Sequence, residues 1–364
     1  MRNICITGEI LRILMKNASG NGGIGMIKPE RKVYVLSSNA VVGREERRGP
    51  LGNYFDTRDG KDDSFGMKSW EMAESEMQRL ALNGAMGGAR FSAEDVGFLF
   101  AGDLQNQCVG SNYGLLNFGI PYLGLYGACS TAAEGLIISS IFSGATGKIA
   151  AAVSSSHNCS AERQFRFPME YGGQRTPTSQ WTVTGAGAFV VGTDPDMTRY
   201  DGNLIRVADV MPGIPLDKGI TDINNMGAAM APAATDTLLR YFRASGSVPD
   251  DYDLIITGDL GREGASILED LMSSEGYDVS EVYTDCGLLI YDEEMDKHAG
   301  GSGCGCSAVV MAAYILEKMR CGTYNNVLFI GTGALMNPVV LNQGQSIPGI
   351  GHLVHLVSEE RKGE

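Results

Sequence analysis

Residues Gly127–Ser156 read GACSTAAEGLIISSIFSGATGKIAAAVSSS: a tight turn, an apolar helix, a short polar link and an apolar strand. The chain repeats this order in Gly305–Gly333, which reads GCSAVVMAAYILEKMRCGTYNNVLFIGTG. The two segments align without gaps and place Cys129 on Cys306. Because the order of elements and the turn residues between them match, we interpret the pair as an internal duplication.

A second pair of segments supports the duplication. An apolar run followed by Gly-Asp-Leu occurs in Val96–Gln107 and again in Tyr252–Glu263, and helical patterns precede them at Ser69–Ala85 and Ala233–Ala244. Between the Gly-Asp-Leu motif and the aligned cysteine, the second half has about 21 more residues than the first half, around Tyr283–Gly301. Helices alternate with continuous apolar strands, which is typical of sheets buried on both faces. The sequence therefore predicts an α/β protein of two similar halves, stacked in a layered α/β/α/β/α arrangement.

The predicted boundaries follow from this alignment. We assign residues 26–200 to the N-terminal half and residues 201–364 to the C-terminal half. Residues 1–25 end in a Gly/Asn-rich run and lack the alternating pattern. We interpret them as a flexible tail or as an overextended start ahead of Met26.

Composition excludes several classes of function. The 364 residues include 29 Lys and Arg against 43 Asp and Glu, a net charge of −14, so nucleic acid or an anionic bilayer is a poor partner. The longest apolar run, Ala308–Leu316, falls short of the about twenty residues that a membrane-spanning helix needs. The N-terminus lacks the pattern of a secretory signal. Eight cysteines in such a chain indicate free thiols in a reducing compartment.

Cys129 is the strongest candidate for a nucleophilic residue. It precedes an apolar helix, and Thr131 with Glu134 fits a Thr-x-x-Glu capping box. The amide N–H groups and the dipole at a helix N-terminus favour a thiolate, so the position predicts a lowered pKa for the Cys129 thiol and a nucleophilic role. A small buried cysteine packed at a tight turn explains the same residues equally well.

Two motifs in this duplicated chain resemble the thiolase and ketoacyl-synthase superfamily: GACSTAAEG (Gly127–Gly135) and VTGAGAFVVG (Val183–Gly192). The resemblance implies that Cys129 occupies the place of the acylated nucleophile. It also implies two His or Asn partners that support the oxyanion and activate the second substrate. One would follow the strand Leu254–Thr257, and the other would lie in the turn Gly300–Cys306.

The chain departs from the superfamily at both partner positions. Gly258 and Asp259 stand at the first, and Cys304 lies near the second. None of these groups can replace a neutral imidazole donor, and the loss of one such donor typically costs about 10²–10³ in rate. We therefore expect a thiolase-like fold that is not an enzyme. The alternative is an active acyltransferase or condensing enzyme in which Asp259 or His298 assists Cys129.

Longer motifs resemble a narrower group, the stage V sporulation protein AD family of spore-forming bacteria. The motifs are AGDLQNQ, YGACST, SSSHNCSAERQFRFPMEYGGQ, MGAAMAPAATDT, DCGLLIYDEE and AGGSGCGCSAVV, spread from about Lys28 to near Leu356. The resemblance implies a subunit that binds dipicolinic acid (pyridine-2,6-dicarboxylate), with its calcium, for transport into or out of the spore. It also implies membrane-embedded channel subunits as partners, and a peripheral location at the inner membrane of the forespore or spore.

A rigid aromatic dianion needs forked cations for its carboxylates and a flat apolar slot for its ring. The segment between residues 157 and 175 concentrates such groups, namely His157, Arg163, Arg166 and Arg175, with Phe165, Phe167 and Tyr171 between them. We predict that these four polar residues bind the ligand above Cys129 as the floor. The alternative is that the arginines pair with Glu162 and Glu170 at a subunit interface.

We predict no resident metal or other cofactor, and leave open whether calcium accompanies the ligand. His352 and His355 would point to opposite faces of a strand, and the thiols of Cys304 and Cys306 make only half a zinc site. The superfamily resemblance implies a homodimer.

Overall fold

A computed structural model of the chain describes residues 25–165 and 175–361. The predicted N-terminal tail, apart from Gly25, lies outside the described residues. The strands are β1 (Val33–Val42), β2 (Thr57–Arg58), β3 (Val96–Gly102), β4 (Tyr122–Leu125), β5 (Ile149–Ser156), β6 (Trp181–Thr182), β7 (Gly185–Gly192), β8 (Leu204–Met211), β9 (Leu254–Thr257), β10 (Tyr283–Asp285), β11 (Gly301–Ser302), β12 (Asn326–Ala334) and β13 (Gly349–Glu359).

The helices are α1 (Arg44–Arg48), α2 (Trp70–Gly88), α3 (Val109–Leu115), α4 (Thr131–Thr146), α5 (Asn158–Phe165), α6 (Met226–Ser245), α7 (Gly261–Ser274), α8 (Cys286–Ile290), α9 (Cys304–Val309), α10 (Leu316–Arg320) and α11 (Pro338–Leu341). A π-helical segment, Val310–Ile315, joins α9 to α10. The predicted helix at Ala233–Ala244 begins earlier, because Asn225 caps α6 and Pro232 is accommodated inside it.

The sheet repeats one topology twice. The strands follow the order β4-β3-β5-β7-β1 in the first half and β10-β9-β12-β13-β8 in the second. In each half the first three strands are parallel and the next two pairings are antiparallel. The halves join where β1 pairs with β8 through two residue pairs. This matching order is the duplication that the sequence predicted.

The helices form layers on both sides of the half-sheets. Helix α2 packs on β1 and β7, and α6 packs on β12 and β13. Helix α4 lies in the middle and contacts both β5 and β12, while α9 contacts β5 and β7. The helical stretch Ala128–Thr146 is apolar and long enough to cross a membrane by composition alone, but 67% of it is buried inside the protein, as in a core helix.

Strand β10 is the counterpart of β4, and the extra residues of the second half form α8 and the loop that leads to β11. In the first half, β4 is followed almost directly by the turn that carries Cys129. The additional segment therefore lies beside the equivalent turn of the second half.

Candidate functional site

Cys129 lies in the turn between β4 and α4. The turn is a 3₁₀ segment, Ala128–Ser130, and Ala128 adopts a left-handed backbone with φ of +54°. The predicted capping box does not form. Instead, Thr131 Oγ1 donates to the carbonyl of Ala128 at 2.7 Å and accepts the N–H of Gly127 at 3.2 Å. Because the chain already turns at Ala128, Thr131 lies inside the helical turn and not at its cap.

The carboxyl group of Asp259 is fully buried and accepts a hydrogen bond from the Cys129 thiol. Asp259 Oδ2 also accepts the N–H of Gly303 at 2.8 Å, and its Oδ1 accepts the hydroxyl of Thr332 at 2.9 Å. Burial raises the pKa of the Cys129 thiol well above its ordinary value, and the charge of Asp259 raises it further. The predicted lowering of this pKa is therefore wrong, because desolvation and the neighbouring carboxyl outweigh the helix N-terminus.

Asp285 holds the turn that carries Asp259. Its carboxylate accepts the backbone N–H groups of Leu260 at 2.8 Å and Gly261 at 3.0 Å. The amide of Gln180 donates to the carbonyl of Asp259 at 2.7 Å. Since Asp285 is the last residue of β10, the end of this strand fixes the position of the carboxyl group beside Cys129.

A second thiol lies close to Cys129. Cys304 is fully buried, its thiol donates to the carbonyl of Ser155 at 2.9 Å, and it packs in the same small apolar cluster as Cys129. All four histidines of the chain lie within the described residues, and none of them lines the cavity beside Cys129. His298, the partner in the enzymatic alternative, lies instead 3.7 Å from the carboxylate of Asp296.

A cavity of about 420 Å³ opens above Cys129. Its apolar lining consists of Leu104, Ala128, Ala161, Phe165, Met226, Ala334, Leu335, Met336, Pro338 and Val339. Its polar lining consists of Asn106, Tyr126, Glu162, Gln164, Thr182, Ser302 and Asn337. Within residues 25–165 and 175–361, Glu162 is the charged residue of the lining, and no Lys or Arg contributes. The hydroxyl of Thr182 donates to Glu162 Oε1 at 3.1 Å.

His157 does not line the cavity. It is fully buried, its Nε2 donates to the carbonyl of Asp63 at 2.9 Å, and its Nδ1 accepts the N–H of Cys159 at 3.2 Å. Its ring also packs against Trp70, with 5.3 Å between ring centroids. Burial lowers the pKa of His157, so the ring is neutral and both of its nitrogens are already bonded.

Of the predicted arginines, Arg163 and Arg175 do not line the cavity above Cys129. Arg163 is half exposed on the outer side of α5, where it lies 3.4 Å from the carboxylate of Glu71. Arg175 donates to the carbonyl of Asp296 at 2.6 Å and lies over the ring of Trp181, away from the cavity. Arg166 lies outside the described residues, as do Phe167 and Tyr171. Of the three predicted aromatic residues, Phe165 lines the cavity.

Three carboxamide side chains that line the cavity are not among the residues predicted from the sequence, namely Asn106, Gln164 and Asn337. Asn106 donates its N–H to Gln164 Oε1 at 3.1 Å, and Gln164 Nε2 donates to Asn106 Oδ1 at 3.2 Å. Asn337 caps α11 by accepting the N–H of Val339 at 2.9 Å. Asn106 belongs to the AGDLQNQ motif and could have been found there, whereas Asn337 carries no local signal because its segment reads as an ordinary loop.

The described parts of the chain contain no group of three or more His, Cys, Asp or Glu side chains that could hold a metal ion.

Comparison with known proteins assigns the chain to a family. A family model described as stage V sporulation protein AD matches residues 24–357. The chain belongs to the stage V sporulation protein AD family. Stage V sporulation protein AD of Bacillus subtilis (strain 168) is 43% identical over 324 residues, which cover 89% of this chain and 94% of that relative. This family member is therefore a sporulation protein, as its motifs predicted.

Solved structures with the same fold are ketosynthases. The 3-oxoacyl-(acyl carrier protein) synthase III of Xanthomonas oryzae pv. oryzae is 13% identical, with a TM-score of 0.54 over 90% of this chain and 99% of that one. A variant of OleA from Xanthomonas campestris is 14% identical, with a TM-score of 0.55 over 90% of this chain and 98% of that one. At such low identity the likeness shows the fold alone. The predicted thiolase-like fold is confirmed.

Proposed function

We propose that this sporulation protein is a non-catalytic subunit whose cavity holds dipicolinate, accompanied by calcium, for membrane-embedded channel subunits at the inner spore membrane. The observation that carries the proposal is the pairing of Cys129 with Asp259 at the floor of an open cavity. The superfamily resemblance implies an acylated cysteine at this position, and Asp259 and Cys304 stand where it implies His or Asn partners.

The replaced groups argue against acyl transfer. A nucleophilic cysteine needs a thiolate, and the Cys129 thiol is instead buried with its pKa raised. The buried carboxyl of Asp259 would also oppose the negative charge that develops on a carbonyl oxygen during attack. The N–H of Gly303, a donor that could face such an oxygen, is already bonded to Asp259.

The lining suits an aromatic ring with polar edges. Phe165 and Leu104 offer flat apolar contacts, while Asn106 and Gln164 present carboxamides. The 1:1 calcium chelate of dipicolinate has no net charge, so it suits a lining without a described cation better than the free dianion does. Calcium prefers oxygen ligands, and the carboxylate of Glu162 is such a ligand at the cavity wall.

Arg166 remains the proposed cation for a ligand carboxylate. We expect Arg166→Ala to weaken binding by roughly 1.5–3 kcal/mol, the range of charge-assisted hydrogen bonds. Arg163→Ala serves as the matched control, because Arg163 faces Glu71 on the outer side of α5. Equal losses in both variants, measured by calorimetry, would show that the outer face of α5 binds the ligand.

The cavity itself is tested by filling it. Ala161 is buried in α5 and lines the cavity, so Ala161→Leu should weaken the binding of calcium dipicolinate by about tenfold or more. Arg163→Leu, two residues further along the same helix, adds a leucine on the outer side and should leave the affinity unchanged. Thermal unfolding of both variants checks the fold. Undiminished binding by folded Ala161→Leu would exclude this cavity.

The second candidate, a Cys129-dependent acyltransferase, rests on the position of Cys129 at the cavity floor. Incubation with acyl thioesters followed by intact-mass measurement distinguishes the two functions. We expect no acyl adduct together with saturable binding of dipicolinate. A stable adduct on Cys129 would reinstate catalysis.

We also propose a homodimer formed at the free edge of β4. This strand is at the end of the described sheet and exposes 54% of its Leu123, and the helical segment that precedes it exposes 72% of Tyr113 and 71% of Leu116. Exposed apolar residues along an unpaired strand edge are usually covered by a partner. Sedimentation should give close to twice the 38.8 kDa chain mass, and Leu123→Lys should give the single chain.

A further inference from the structure

The cavity floor carries an uncompensated acidic group. Asp259 is fully buried below Cys129, and its carboxyl oxygens are bonded by a thiol, a backbone N–H and a hydroxyl, all of them neutral. The titratable groups that face it come from the turn Ala128–Ser130 and from β10, α8 and α9, namely Cys129, Asp285, Cys286, Cys304 and Cys306. Each of these is either neutral or negative, and within the described residues none is a cation.

The cavity wall adds a second acid. Glu162 lines the cavity on α5 and accepts the Thr182 hydroxyl. A free dicarboxylate that reaches Cys129 would bring its own negative charge next to the carboxyl group of Asp259, just below the floor. Like charges at such separations in a site of low dielectric repel strongly, so one of them must be neutralised when the ligand binds.

We infer that Asp259 makes the cavity select its ligand by total charge: the free dicarboxylate binds together with one proton that settles on Asp259, whereas its neutral calcium chelate binds without proton uptake. The inference rests on the proposed function, since it takes dipicolinate as the ligand.

The position of Asp259 can hold this proton without losing its partners. In the acid form, Oδ2 is the carbonyl oxygen and keeps the N–H of Gly303, while the proton on Oδ1 is donated to Oγ1 of Thr332 after that hydroxyl rotates its own hydrogen away. Burial already raises the pKa of Asp259 to about 7, so protonation at neutral pH costs little. The Cys129 thiol is bonded to Asp259 and also lines the cavity, so the ligand charge acts on this carboxyl across a single side chain.

The direction of the pH dependence follows from linkage. Below about pH 7 Asp259 is already protonated in the free protein, so the Kd of the free dicarboxylate is independent of pH there. Above that pH the proton must be taken up on binding, and the Kd rises by up to about tenfold per pH unit. The Kd of the calcium chelate stays level over the same range.

Calorimetry of the full chain in two buffers of different ionisation enthalpy measures the proton directly. The probes are disodium dipicolinate and its 1:1 calcium chelate. For the disodium salt we expect uptake of part of a proton at pH 7, rising toward one at pH 8, and for the chelate none. Asp259→Asn can keep the bonds to Gly303 and Thr332, and it should abolish both the uptake and the rise in Kd. Glu162→Gln should keep both.

The outcomes separate the two proposals. Saturable binding of the disodium salt without proton uptake by the unmodified chain overturns this inference and leaves the proposed function standing. Uptake that survives Asp259→Asn but disappears in Glu162→Gln overturns the assignment to Asp259. If neither probe binds, the proposed function fails and the inference fails with it. The first measurement uses the unmodified chain, so the inference can be tested even if Asp259→Asn folds poorly.

Discussion

The side chain of Asp259 changes what Cys129 can do. A buried thiol next to a carboxyl group stays protonated, whereas the same thiol at an open helix N-terminus would ionise more readily. Asp259 itself is held by Gly303 and Thr332, and its turn is held by Asp285. The position of one acidic group thus keeps the thiol at the cavity floor protonated.

Replacement of this carboxyl should therefore activate the thiol. We expect Asp259→Asn to lower the pKa of Cys129, because the neighbouring negative charge is removed while burial stays. Its alkylation by iodoacetamide at pH 8 should then become about tenfold faster for each unit by which the pKa falls. Peptide mapping by mass spectrometry resolves Cys129 from the exposed Cys321.

Asp278→Asn, at an exposed position, is the control for this experiment and should leave the alkylation of Cys129 unchanged. An equally slow reaction of Cys129 in the Asp259→Asn variant would show that burial alone keeps the thiol protonated.

Among the elements, the two central helices differ. Helix α4 runs without interruption, whereas its counterpart contains the π-helical segment Val310–Ile315 between α9 and α10. Widening of the helix frees a carbonyl, and the buried hydroxyl of Ser38 on β1 donates to the carbonyl of Ala312 at 2.7 Å. Arg320 Nη2 donates to the same hydroxyl at 3.1 Å. This hydroxyl therefore ties the irregular segment to a strand of the first half.

Ser38→Ala should lower the free energy of unfolding by about 1–3 kcal/mol, because it leaves a buried carbonyl and a guanidinium N–H without this partner. Denaturant unfolding measures the change. Ser273→Ala, exposed on α7, should stay within about 0.5 kcal/mol of the unmodified chain. Equal stability of the two variants would mean that water replaces the Ser38 hydroxyl as the hydrogen-bond partner of the Ala312 carbonyl and of Arg320.

Over the whole molecule, the layers approach closely at two strand glycines, one in each half of the sheet. A Cβ on Gly187 of β7 would lie 2.5 Å from the backbone of Ala308 in α9. A Cβ on Gly331 of β12 would lie 2.5 Å from the Cβ of Ala133 in α4. Each central helix thus packs directly on a half-sheet of the duplicated fold, and no side chain fits between them.

Gly187→Ala and Gly331→Ala should each lower the free energy of unfolding by about 1–3 kcal/mol, the usual cost of overpacking a buried interface. Gly87→Ala on α2 is the matched control. No atom lies within 4 Å of the Cβ that it would add, so it should be neutral or stabilising by up to about 1 kcal/mol. Unfolding midpoints of the three variants compare these costs, and a neutral Gly187→Ala would imply that the layers can move apart.

The amino-acid sequence by itself determined the duplicated α/β fold, the turn that carries Cys129 and the family. These features depend on local patterns. One short segment of sequence is enough to show an apolar strand, an amphipathic or buried helix, or a turn rich in glycine. The sequence also pointed to the second-half positions Asp259 and Cys304, where a ketosynthase would carry its partners.

Only the tertiary structure decided the electrostatics and the lining of the site. Asp259 reaches Cys129 from 130 positions further along the chain, and the resulting pKa values depend on burial and on distances through space. The orientation of α5 turns Ala161 and Phe165 toward the cavity and Arg163 away from it. A cluster of arginines in the sequence fixes their spacing along the chain, but the packing of the helix decides which side chains face the cavity.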